Sequence, residues 1–294
     1  MNKHHAWLTR RDFVCGTVGA VVGASALTGE SSAAQTRPVR SSRVIVVREQ
    51  AVQSNDHVVD KVALKRMLGE TLQSVTGEKS VKSAWLSLVK PGDTVGLVPT
   101  PHLNPTHQEL IELVQESLVE AGIPKEHIVN AQRGPETPKS CTALIAMPGL
   151  KAHWLTGIGT VLKNYIVYSG NPASYHDANN VKLGEIWNMP HVRGKTRLVL
   201  VDALYPLCDK GPQPDPRYKW NYNGLIAGID PVAVETICLN IITRKRQALR
   251  QGEPWPLSPP PLCVAAADER YNLGTSKMEE IKVSPIGWAQ DLLL

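Results

Sequence analysis

The chain has 294 residues, with 32 Lys and Arg against 27 Asp and Glu and a formal net charge of +5 at pH 7. That excess is too mild for a nucleic-acid footprint, and the cluster Arg244-Lys245-Arg246 reads as the solvated end of a helix, where cations oppose the negative pole of the macrodipole. Setting residues 1–33 aside leaves about 260, enough for one α/β domain with a sizeable core.

Thr9-Arg10-Arg11-Asp12-Phe13 lies in a basic start and precedes a weakly apolar run, rich in Gly and Ala, from Val14 to Leu27. The run falls short of the roughly 20 strongly apolar residues of a spanning helix. A cleaved signal is the better reading, with Ser31-Ser32-Ala33-Ala34 offering small residues to a peptidase. The pattern resembles a bacterial twin-arginine signal. That resemblance implies transport in folded form, the twin-arginine export machinery as a partner, and a periplasmic or exported protein that is membrane-tethered if the signal stays uncleaved. Residues 34–42 follow as a polar linker.

Val44 to Val47 is a short apolar run of strand type. Leu64, Leu68, Leu72 and Val75 recur at helical spacing before Gly77, and Val81, Ala84, Trp85 and Leu88 mark a second short helix. After the turn at Pro91-Gly92-Asp93, Thr94 to Val98 reads as a buried strand. Thr106-His107-Gln108-Glu109 has the form of a capping box, and the helix it opens carries the stripe Leu110, Leu113, Val114 and Leu118 and ends at Gly122. His127 to Val129 is the next strand, so strand, helix and strand follow in the order of a right-handed crossover and a parallel sheet is expected.

In the second half, Arg197 to Val201 is a buried strand with Asp202 at its carboxyl end, followed by a Pro-rich segment, Tyr205 to Tyr222, long enough to be a functional loop. Gly224 to Ala227 is a short strand. Asp230 caps the next helix, Pro231 fits its first turn, and Val234, Ile237, Cys238, Ile241 and Ile242 make its buried face. Leu262 to Tyr271 reads as helix and Ile281 to Val283 as strand. The fold class expected is therefore α/β, a mainly parallel sheet with helices on both faces, spanning residues 43–287 as one domain with a tail at 288–294.

Cys141, Cys208, Cys238 and Cys263 lie far apart, and no C-x-x-C occurs, so the chain's own cysteines supply no iron–sulfur cluster. In an oxidising compartment a pair such as Cys208 and Cys263 could bond, though spacing does not choose among three connectivities. Cys238 reads as a buried thiol. No Walker pattern, no G-x-G-x-x-G opening a helix and no G-x-S-x-G elbow is present, which speaks against nucleotide binding and serine-hydrolase chemistry.

The order of several stretches resembles the domain-of-unknown-function family 362. They are Leu88 to Val95, Thr106-His107 with Glu120-Ala121-Gly122, Leu162-Lys163-Asn164, Val201-Asp202-Ala203, Gly211-Pro212, Gly228 to Val234, and Ala265-Ala266-Ala267 with Leu273-Gly274 and Ile281. Many members of that family carry a ferredoxin-like cysteine insert, which this chain lacks. It also departs where the family commonly places a Lys and an Asn, here Val98-Pro99-Thr100, and at Glu235, where an Asp is usual.

In open α/β sheets ligands sit beyond the carboxyl ends of strands. His102, His107, Asp202 and Asp230 are expected at such ends, and a shared crevice would suit a divalent metal held by His107, Asp202 and Asp230, or general acid–base work. Lys163, His176 and Asp202 are the catalytic candidates; Thr106, Asn164, Gly211 and Glu235 are the ligand-binding ones, with Lys163 and Asn164 suited to an anionic or carbonyl oxygen. Blander roles compete: Asp230 as a helix cap alone, His107 as a solvated first-turn residue. Three functions follow: an exported protein binding a divalent metal or small oxygen-rich ligand, with or without turnover; a non-catalytic accessory to a periplasmic or membrane redox or cofactor-assembly partner; and a distant lactate-racemase-like enzyme. The last rests on Thr94 to Thr137, which resembles the first domain of lactate racemase-type enzymes. It implies a pincer-cofactor lysine and a histidine pair in a second domain, which the sequence does not place.

Overall fold

The computed structural model describes residues 41–130, 134–177 and 181–294. The expected signal and most of the expected linker lie outside them. In chain order the elements are β1 (Ser42–Arg48), α1 (Lys61–Thr76), α2 (Val81–Leu88), β2 (Val95–Pro99), α3 (Gln108–Ala121), β3 (Ile128–Asn130), α4 (Glu136–Ser140), β4 (Ala143–Met147), β5 (Gly149–His153), β6 (Gly157–Ile158), α5 (Val161–Asn164), α6 (Leu183–Trp187), β7 (Thr196–Leu207), β8 (Gly224–Gly228), α7 (Pro231–Leu249), α8 (Leu262–Glu269) and β9 (Ile281–Gly287).

The strands form one sheet in the order β3-β2-β4-β7-β8-β1-β9. β2 pairs in parallel with β3 and β4, β4 with β7, and β1 with β9, while β8 alone of this row runs antiparallel to both its neighbours. The mainly parallel α/β reading holds. Side chains alternate across the sheet: Val44, Val46, Leu144 and Ala146 pack with residues of α5, α6, α7 and α8, whereas Ile45, Val47, Ala143 and Ile145 pack with residues of α1, α2 and α3. Because both faces are covered, the central strands β1, β4, β7 and β8 carry continuous apolar runs rather than alternating ones.

Three expectations need correction. β7 does not stop at Val201; it continues to Leu207 because Ala203 still pairs with Gly224 on β8 and Leu207 with Lys151 on β5, so Asp202 is a strand-interior residue paired with Gly149 and Leu225. The capping box at Thr106 does not form. α3 starts at Gln108 with His107 as its cap and no side-chain capping bond, since the Thr106 hydroxyl instead accepts from Thr100 N–H and donates to the Met147 carbonyl. No disulfide joins Cys208 and Cys263: all four cysteines of the described residues are buried and free. Asp230 caps α7 as expected, accepting from Val232 and Ala233 N–H, both at 2.9 Å.

Candidate functional site

The carboxyl ends of β2 and β4 point the same way, and β5 carries the chain onward from β4 beside β7. Thr100, one residue past β2, Lys151 and His153 on β5, Lys163 and Asn164 on α5, and His176 thereby line one hollow of about 490 Å³. Leu103, Ile166, Val167 and Pro172 give it apolar walls. No Asp or Glu of the described residues lines it.

Lys151 is 5% exposed, and among the described residues its ammonium has one hydrogen bond, a long one of 3.4 Å to the Thr100 hydroxyl. Burial, then the charge of Lys163, push its pKa down to about 7 against the opposing carboxylates of Glu235 and Asp202. Burial likewise brings Lys163 down to about 8. The Lys163 Nζ lies 2.9 Å from His176 Nε2, and His176 Nδ1 lies 2.8 Å from the Pro172 carbonyl. A carbonyl only accepts, so in the neutral ring Nδ1 holds the proton and Nε2 receives the Lys163 ammonium. His153 is the reverse tautomer. Its Nδ1 accepts the Leu155 N–H at 3.1 Å, and burial, then the charges of Lys163, His176 and Lys151, hold its pKa down at about 3, leaving a neutral ring with the proton on Nε2. The His153 and His176 rings are 6.4 Å apart. Asn164 is fixed by donating to the Val98 carbonyl at 2.7 Å.

The sequence candidates divide. Lys163, His176 and Asn164 meet in this cavity. His107 lines a neighbouring cleft that shares Thr100 and Pro101 with it and adds Asn130, Tyr205 and Lys219, and Asp202, itself buried, bonds to His107. There one Asp202 oxygen accepts from both the backbone N–H and the Nδ1 of His107 at 2.7 Å, and the other accepts from Leu204 N–H at 3.1 Å. Burial opposes the Asp202 charge, but His107 outweighs it and the carboxyl stays below its ordinary value. Burial likewise opposes charge on His107, and Asp202 holds that pKa up.

Asp230 does not join them. β8 runs against β7 with Gly228 opposite Val199, so its carboxyl end emerges where β7 begins; there Asp230 accepts from the Ser42 hydroxyl and Thr275 N–H. The set His107, Asp202 and Asp230 is therefore split between two edges of the sheet. Among the described residues no three His, Cys, Asp or Glu side chains converge to hold a metal ion. Three ligand-binding candidates are engaged in structural contacts. Glu235 is fully buried and accepts from Val161 and Leu162 N–H, capping α5 from α7. Gly211 lies so close to β5 that a Cβ would overlap the Ala152 carbonyl. Thr106 is buried with its hydroxyl fully engaged.

Sequence reasoning missed Lys151 and His153, because β4 and β5 were not anticipated. A signal was present in Gly149-Leu150-Lys151-Ala152-His153, whose alternation puts Leu150 and Ala152 into the core and the two basic residues on the opposite face.

No curated protein and no solved structure matches the chain. One family model does, over a stretch running from the end of β2 into α7 and holding the residues that line the cavity. Residues 100–240 thus carry the match to the domain of unknown function DUF362, the family whose landmarks the sequence displays.

Proposed function

We propose that the cavity binds a small organic acid, its carboxylate on Lys163 and Asn164 and its carbon chain against the apolar wall. The observation that carries this reading is two buried lysines facing a hollow whose described lining holds no acid. A buried ammonium without a counter-ion is costly, and an entering carboxylate would supply both charge and hydrogen-bond acceptors. Calorimetric titration with short carboxylic acids tests it. Lys163→Met should weaken binding about tenfold, as loss of one charge-assisted hydrogen bond of ~1.5 kcal/mol implies. Absence of binding, or binding indifferent to that substitution, would remove the reading. The same proposal places the protein outside the cytoplasm, on the strength of Arg10-Arg11.

One observation favours a second reading, lactate-racemase-like acid–base chemistry: His153 and His176 form a ring pair beside Lys163. That reading requires a bound nickel cofactor, so protein purified from its source should carry nickel and a cofactor absorbance. Metal-free, colourless protein that still binds acids leaves the first reading standing alone.

A further inference from the structure

The two lysines of the cavity are not equivalent. Lys163 has a strong acceptor in His176 Nε2 at 2.9 Å, which favours its ammonium form. Lys151 is more deeply enclosed and, among the described residues, has only the 3.4 Å contact with a hydroxyl, an arrangement that costs least when the amine is neutral and its lone pair is free. A cation for a carboxylate thus stands beside a nucleophile for a carbonyl. His153, neutral with its proton on Nε2, lines the same space as a donor for a carbonyl oxygen.

We infer that Lys151 forms an imine with the carbonyl carbon of a 2-oxo acid bound in this cavity. The inference rests on the reading of the cavity as an organic-acid site. A 2-oxo acid matches because its carbonyl adjoins its carboxylate, so one molecule engages both lysines, and a branched aliphatic chain would lie on Leu103, Ile166 and Val167. In the step, the Lys151 lone pair forms the C–N bond at the keto carbon while the C=O π bond breaks. The oxygen gains a proton, and the nitrogen loses one to form the neutral carbinolamine. A second proton on that oxygen lets it leave as water, and the nitrogen lone pair closes the C=N bond with one hydrogen retained, giving the iminium. The net change is amine plus ketone plus one proton to iminium plus water. Lys163, an ammonium lining the same cavity, supplies the proton and regains it from solvent. Nothing is oxidised or reduced, and activation of a lysine by an adjacent cation in an apolar pocket is a known route to such nucleophiles.

The test incubates the full-length protein with pyruvate or 2-oxoisocaproate in the presence of cyanoborohydride, followed by intact-mass measurement and peptide mapping. Calorimetry with 2-hydroxyisocaproate, which cannot form an imine, is run in parallel. The expected result is a single reduced adduct per chain on the peptide containing Lys151, lost in Lys151→Arg, with the hydroxy acid still binding the wild type. Peptide mapping of the wild type decides the case even where the variant does not fold. Binding of both acids with no adduct, or with adducts on Lys163 or scattered over surface lysines, overturns the inference and leaves the organic-acid site intact. Failure of both acids to bind overturns the inference and the organic-acid site together.

Discussion

A buried lysine leaves a mark on stability that a ligand-free experiment can read. Lys151 has a folded pKa of about 7, below its ordinary value of about 10.4. Below pH 7 both states carry the proton and the folded protein bears the whole cost of enclosing it. Between about pH 7 and 10.4 the unfolded state binds more protons, so stability rises with pH until the cost is gone. Lys151→Met should therefore stabilise the protein by on the order of 3 kcal/mol near pH 6, with the gain shrinking towards pH 10, as followed by urea unfolding. A gain that did not change with pH would mean that the amine is solvated. The neighbouring pair has the opposite alkaline sign. His107 is held above its ordinary pKa by Asp202, so its contribution is complete below about pH 6.5 and fades as pH climbs through the folded value. The lowered pKa of Asp202 makes its contribution complete above about pH 3.9 and lost as pH falls below that. His107→Gln should then flatten the alkaline decline, while Asp202→Asn should cost about 3 kcal/mol at neutral pH, because it strips a buried charge from three donors. A loss under about 0.5 kcal/mol, the range of an ordinary surface change, would show the pair to be structurally idle.

At the scale of elements, α5 is too short to stand by itself and depends on a carboxylate from another helix. Glu235 accepts the two N–H groups that open α5, and burial, despite those bonds, lifts its own pKa to about 7. Glu235→Gln keeps an acceptor oxygen and should cost about 1 kcal/mol, whereas Glu235→Leu orphans both donors at about 1–3 kcal/mol each. The apolar variant should also weaken organic-acid binding more than the amide does, since α5 carries Lys163 and Asn164; equal losses of affinity would uncouple the cap from the site. This dependence also marks the limit of what the chain discloses. Elements set by local pattern were legible: α1 with its helical stripe and Gly77 stop, α7 with Asp230 and Pro231. β4 was missed because Ala143 to Met147 is an unbroken apolar run, which periodicity cannot assign. α5 and the true extent of β7 were beyond reach because partners more than seventy residues away fix α5 through Glu235, while paired strands sustain β7 past Asp202. The usual capping box failed for the same reason, when Met147 claimed the Thr106 hydroxyl.

Across the molecule, strand direction decides which distant residues meet. Lys163, His176 and Asn164 share a cavity because β2 and β4 run together, and Asp230 leaves the proposed group because β8 alone reverses between β7 and β1. Sequence order carries no mark of that reversal, so the crevice was half legible and its metal set was not. Closure of the fold has a further consequence for the four thiols. Cys141, Cys208, Cys238 and Cys263 are free and buried, and burial pushes Cys208 up to about 11 and Cys263 up to about 12, far from the thiolate form that oxidants and alkylating reagents need. A chain threaded unfolded into an oxidising compartment would expose all four at once, whereas one carried across already folded would arrive with them sealed in the core that packs against α5 to α8. The proposed twin-arginine route and the free thiols therefore support one another. Exported protein should show four thiols that iodoacetamide modifies only after denaturant is added, and Arg10→Lys with Arg11→Lys should retain it inside the cell with its fold unchanged. Recovery of a Cys208–Cys263 disulfide from the exported fraction, or export indifferent to the double substitution, would break that link.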